Sequence, residues 1–88
     1  MGIKRPKIFS KRIDATTNQE IIVKENYGGL ILTDFEIWNL GKSDIEIKIN
    51  NSDENILLEP NEGFSMGNDE TFSCIIVTGG TIKFSGKY

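Results

Sequence analysis

The chain has 88 residues, a formal net charge of −3, one Cys and no His, and its length is that of a single domain. The lone Cys74 rules out an internal disulfide, a structural zinc site lacks its usual Cys and His ligands, and His-based acid–base catalysis and Ser-His-Asp or Cys-His nucleophile sets are excluded. A chain this small buries only about 60% of its unfolded surface, which leaves self-association as the remaining stabiliser.

Charge is divided along the chain. Residues 1–12 hold Lys4, Arg5, Lys7, Lys11 and Arg12 and no acid, a charge of +5; residues 13–88 hold five basic and thirteen acidic side chains, a charge of −8, and the two sum to −3. This predicts a basic N-terminal arm over residues 1–12 and one β domain over residues 13–88. The arm reads either as a solvated terminus or as a tether to a neighbour's acidic body. Nucleic acid is the competing partner. The acidic body would repel phosphates, and Phe9 is the arm's one aromatic side chain. No apolar run follows the basic residues, so no signal peptide is expected, and no run approaches the roughly 20 residues of a membrane helix.

The rest of the chain reads as strands. Ile occurs fourteen times and Thr six, against one Ala and five Leu, a bias toward pleated rather than helical backbone. A strand over Glu20–Glu25 is followed by a turn at Asn26-Tyr27-Gly28-Gly29. Leu30–Trp38 follows, with Ile31, Thr33, Phe35 and Ile37 on one face and Asp34 and Glu36 on the other. Gly41–Asp44 turns into Ile45–Asn50, where Ile45, Ile47 and Ile49 alternate with Glu46 and Lys48. Asn51–Glu54 turns into Asn55–Glu59. Pro60-Asn61-Glu62-Gly63 predicts a type I turn with Gly63 free to take positive φ. Gly67–Glu70 precedes Thr71–Thr78, and Gly79-Gly80 predicts a tight hairpin into Thr81–Gly86. About seven or eight short strands, with turns roughly every 8–12 residues, predict an all-β fold: a compact antiparallel β-sandwich of jelly-roll type. The expected core is Phe35, Ile37, Ile45, Ile47, Ile49, Leu57, Phe64, Phe72, Cys74, Ile76, Ile82 and Phe84, joined by Ile22 or by Ile21 with Val23.

Few residues offer chemistry. Asp34 and Glu36 lie two apart on one strand and are spaced like a hydrolytic carboxylate pair, but solvent-face charge explains them better. The oxygen-rich run from Asn50 to Asn55 resembles a calcium loop only loosely, since it lacks the central Gly and spaced acids of an EF-hand. Asn50-Asn51-Ser52 is a formal glycosylation sequon. Cys74 reads as a buried small hydrophobe. Trp38 falls on the face of Asp34 and Glu36, where it either caps the core or stands exposed as an anchor for a subunit or a sugar ring. Tyr27 and Tyr88 are weaker anchors of the same kind. No catalytic residue, metal or cofactor is expected.

Three segments share a cadence: Phe35-Glu36-Ile37-Trp38-Asn39-Leu40-Gly41, Ile45–Asn50, and Leu57-Leu58-Glu59-Pro60-Asn61-Glu62-Gly63-Phe64. With the closing Ser73–Gly86, the chain resembles the small β-sandwich structural proteins of tailed bacteriophages and prophages, which include capsid decoration, head–tail and tail accessory proteins. The resemblance implies a non-enzymatic virion role through protein–protein assembly with itself or other subunits, in the virion or in the host cytoplasm during assembly. The basic side chains Lys4, Arg5, Lys7, Lys11 and Arg12, with Trp38 and Tyr27, are the expected partner-binding residues. The alternative is a small binding module that holds carbohydrate on Trp38 and Tyr27. No membrane partner is expected.

Overall fold

The computed structural model describes residues 7–29, 31–67 and 69–88. It contains strands β1 (Ile8–Ala15), β2 (Gln19–Val23), β3 (Leu32–Asn39), β4 (Ile45–Ile49), β5 (Ile56–Leu58), β6 (Gly63–Ser65), β7 (Thr71–Phe72), β8 (Cys74–Val77) and β9 (Gly80–Lys87), with a 3-10 turn over Lys24–Tyr27. One antiparallel sheet runs β1-β9-β3-β6, with β7 also on β3; the other runs β2-β8-β4-β5. The short β6 and β7 pair with successive parts of β3, at Glu36–Trp38 and Leu32–Thr33, and so fill one lane between them. The nine strands therefore occupy eight lanes. First pairs with last, second with second-last, and so inward to β4 with β5, which is jelly-roll connectivity.

Each inner face is lined by alternate residues. Phe9, Ile22, Leu32, Phe35, Ile37, Ile45, Ile47, Leu58, Phe72, Ile75, Val77, Ile82 and Phe84 form one buried core between the sheets. Ile49 and Phe64 pack against it partly buried. Alternation in β4 and β9 makes Ile45, Ile47, Ile82 and Phe84 core residues as expected, while Ile49 lies at the margin of the core.

Elsewhere the phase differs, for identifiable reasons. In β3 the bulge falls at Asp34, a non-glycine residue with φ of 56°, and the register against β9 slips by one residue between Thr33 and Glu36. Leu32 is therefore buried and Ile31 is 65% exposed, the reverse of simple alternation from Phe35. In the last third the expected single strand Thr71–Thr78 is two. The chain passes from one sheet to the other at Ser73, so Phe72 faces inward from the first sheet and Ile75 and Val77 from the second. Cys74 and Ile76 are thus only half-buried. In β5 the pairing Leu58 with Ile45 and Ile56 with Ile47 leaves Leu57 opposite Glu46 and 55% exposed, so Leu58 takes the core place expected for Leu57.

Three further corrections concern the connections and the N-terminus. Gly79-Gly80 joins strands of different sheets, so it is a crossover between layers rather than a hairpin. In the Pro60 turn the positive φ belongs to Asn61, at 68°, which matches a type II rather than a type I pattern; Gly63 lies in β6. The expected arm over 1–12 does not hold for residues 8–12, and residues 1–6 lie outside the described residues. Residues 8–12 belong to β1, which pairs with β9 without a register break from Ile8–Lys87 to Ala15–Gly80, and Phe9 is a core residue. The adjacent Lys11 and Arg12 concealed this strand, because they put a charge on each of its faces, as an edge strand with much of its side-chain surface in water allows.

Asn39 is the one buried polar residue among the described residues, and it pins the β3–β4 crossover. Its Nδ2 donates to the carbonyls of Ser43 at 2.9 Å and Leu58 at 3.0 Å, while its Oδ1 accepts from the Gly41 amide at 2.9 Å. At the opposite end Asn50 serves the same purpose. Its Oδ1 accepts from the Ser73 amide at 2.7 Å, holding the β4–β5 turn to the sheet crossover.

Candidate partner-binding surface

Alternation in β9 sends Ile82 and Phe84 inward and Lys83, Ser85 and Lys87 outward. The cross-strand register then sets one outward row across the sheet: Arg12 beside Lys83, Lys83 beside Trp38, and Trp38 beside Gly63. Neighbouring strands lie about 4.8 Å apart, so Arg12 and Trp38 sit roughly 10 Å from each other on one surface. Trp38 is 47% exposed and Leu40, two residues on, is 39% exposed. The Trp38 ring covers Gly63 so closely that a Cβ built there would lie 2.6 Å from Cε3. Its outward position does not fit the core-capping role, one of the two expected for Trp38.

The remaining expected residues are distributed differently. Lys11 is exposed and lies on the opposite, inward face of β1, one position from Arg12. Lys7 is tied to the C-terminus: its amide donates to the Tyr88 carbonyl at 2.8 Å, the Tyr88 amide donates back at 2.9 Å, and its Nζ stands 5.9 Å from the Tyr88 ring centre. Lys4 and Arg5 lie outside the described residues. Tyr27 packs against Phe9, with ring centroids 4.6 Å apart, and against Tyr88 at 5.1 Å. Burial, and then the neighbouring Tyr88 phenol, raise the Tyr27 pKa above its ordinary value. Tyr27 thus closes one end of the core and is not beside Trp38, so the two do not form a joint stacking platform.

Asp34 and Asn50 have hydrogen-bond partners within the protein. The Asp34 bulge separates its backbone conformation from that of Glu36, and an Asp34 carboxylate oxygen accepts from Thr33 Oγ1 at 2.9 Å. Asn50 Oδ1 accepts from protein donors, and its Nδ2 donates to the Thr71 carbonyl at 3.4 Å. Among the described residues no group of three or more His, Cys, Asp or Glu side chains is placed to hold a metal ion. No helix among them is long and apolar enough to cross a membrane.

Sequence reasoning missed Lys83 and Leu40 as members of the Trp38 surface. Their outward phase was legible in the alternation, but their proximity to Arg12 depends on β9 lying between β1 and β3. The fold and this surface define a small jelly-roll β-sandwich with a mixed aromatic and cationic outer face. Comparison with protein-family models, curated proteins and solved structures finds no match to this chain.

Proposed function

We propose that the protein is a non-enzymatic structural module that works by protein–protein assembly, with a phage or prophage virion as its setting, as the sequence resemblance implies. The observation that carries the assembly reading is the outward row Arg12, Lys83 and Trp38, continued by Leu40. A half-exposed Trp beside Lys83, with Arg12 one lane further on, has the composition of an interface anchor: aromatic and Arg side chains dominate interface energetics. The partners are other copies of the chain or other virion subunits that present an apolar pocket with acidic groups around it.

Native mass by light scattering behind size exclusion tests this reading, at two concentrations and two salt levels, alone and with candidate virion proteins. Association weakened by Trp38→Ala and by high salt supports it. A monomer that binds no virion protein overturns it. Carbohydrate binding is the second reading, favoured by the half-exposed Trp38 ring. Saturable glycan binding, lost in Trp38→Ala, would select it instead.

A further inference from the structure

The two sheets have four edges, and three of them are blunted. The lane of β6 and β7 is broken between Ser65 and Thr71. Strand β5 has three residues, and Pro60 follows it closely. Strand β2 carries a register shift between Glu20 and Ile22. Strand β1 is different: eight residues long, with no register break.

The orientation of its backbone follows from one pair. Lys7 and Tyr88 exchange both amide–carbonyl bonds, so alternate residues from there (Phe9, Lys11, Ile13 and Ala15) bond toward β9. The amides and carbonyls of Ile8, Ser10, Arg12 and Asp14 therefore point away from the sheet. Among the described residues no strand pairs with them.

Charge decides what could pair there. Antiparallel addition of β1 from a second copy must set outward residues against outward residues. The two registers centred on the strand then place Lys11 opposite Lys11 or Arg12 opposite Arg12, and like charges directly opposed are destabilising; the next register sets Arg12 against Asp14 but pairs only residues 11–15, and Asp14 already accepts from Thr81 Oγ1 at 2.7 Å. The same two cations, one on each face of the edge, are complementary to acids.

We propose that the β1 edge is a strand-addition site for an extended acidic segment of a different protein, with acids opposite Lys11 and Arg12 and apolar residues opposite Phe9 and Ile13. The backbone row supplies affinity and the alternating side chains supply selectivity. As to biological role, the proposal rests on the assembly reading above; it shares Arg12 with the outward row but uses the free backbone edge of β1 rather than the Trp38 face.

The probe is a synthetic peptide as long as β1, alternating valine and threonine with two adjacent central glutamates; its counterpart carries two lysines there. Both are titrated into the isotope-labelled full chain, with amide shifts and hydrogen exchange as the readout. The expected result is shifts along residues 8–15 and slowed exchange at Ile8, Ser10, Arg12 and Asp14 with the acidic peptide. The lysine peptide should bind at least about tenfold more weakly. Ser10→Pro should abolish binding while the protein melts as a folded domain, because the Ser10 amide faces outward and its loss breaks no bond to β9. Lys11→Glu with Arg12→Glu should reverse the preference between peptides. Equal binding of both peptides, binding unaffected by Ser10→Pro, shifts confined to Trp38 and Leu40, or no shift overturns the proposal. Failure of the assembly reading is scored separately, by native mass and Trp38→Ala.

Discussion

The Phe9 ring occupies the space that a side chain at Gly86 would need: a Cβ built on Gly86 would lie 2.5 Å from Phe9 Cζ and 3.1 Å from Phe72 Cζ. The two residues are directly paired across β1 and β9, so the absence of a side chain on one strand admits the aromatic ring of the other. This relationship seals β1 to the core. It also makes the N-terminal strand part of the domain rather than an appendage.

Gly86→Ala is expected to destabilise the protein by about 1–3 kcal/mol, the usual cost of overpacking, because both neighbouring rings are buried. Deletion of residues 1–12 is expected to abolish the cooperative melt, since it removes Phe9 and more than half of β1. Thermal unfolding by circular dichroism measures both. A truncated chain that melts like the full one would return residues 8–12 to the status of a dispensable arm.

Asn39→Ala is expected to cost about 2–3 kcal/mol, because it leaves the Ser43 and Leu58 carbonyls and the Gly41 amide without their partner. Asn39→Asp should also destabilise, since a carboxylate cannot donate to two carbonyls. Urea titration gives the change. Stability unaltered by either substitution would show that the β3–β4 crossover is held by other contacts.

Ile47→Asp should unfold the domain. Ile47 is fully buried in the middle strand pair of the second sheet, and an unpaired buried charge has no compensation there. Leu57→Asp, ten residues on, should be tolerated because Leu57 faces water opposite Glu46. The contrast tests the register of β5 directly: equal damage from both would mean that Leu57 and not Leu58 faces the core.

The Tyr27 phenol is held above its ordinary pKa by burial and by Tyr88, so the folded state favours the protonated form. That stabilisation is complete below the ordinary tyrosine pKa of about 10 and is lost as pH rises through the folded value. Stability should therefore fall in the alkaline range, and Tyr27→Phe should reduce the fall. Denaturant midpoints measured on either side of pH 10 check it; identical alkaline profiles for both proteins would remove Tyr27 as the cause.

Local chemistry alone determined much of this protein. The β-branched bias, the strict alternation of Ile45, Ile47 and Ile49 and of Ile82 and Phe84, and the turn residues between strands specify an all-β sandwich, because a period of two needs only one buried face. Only the tertiary structure decided three other things. It decided where the alternation slips, at the Asp34 bulge and at the Ser73 crossover, because both arise from how a strand meets a partner distant in sequence. It decided that Leu58 rather than Leu57 enters the core, because Ile56-Leu57-Leu58 has no polar residue to mark its wet face. And it decided that Arg12 and Trp38 share a surface, since 26 positions separate them in sequence and only β9, the last strand of the chain, brings them within two lanes of each other.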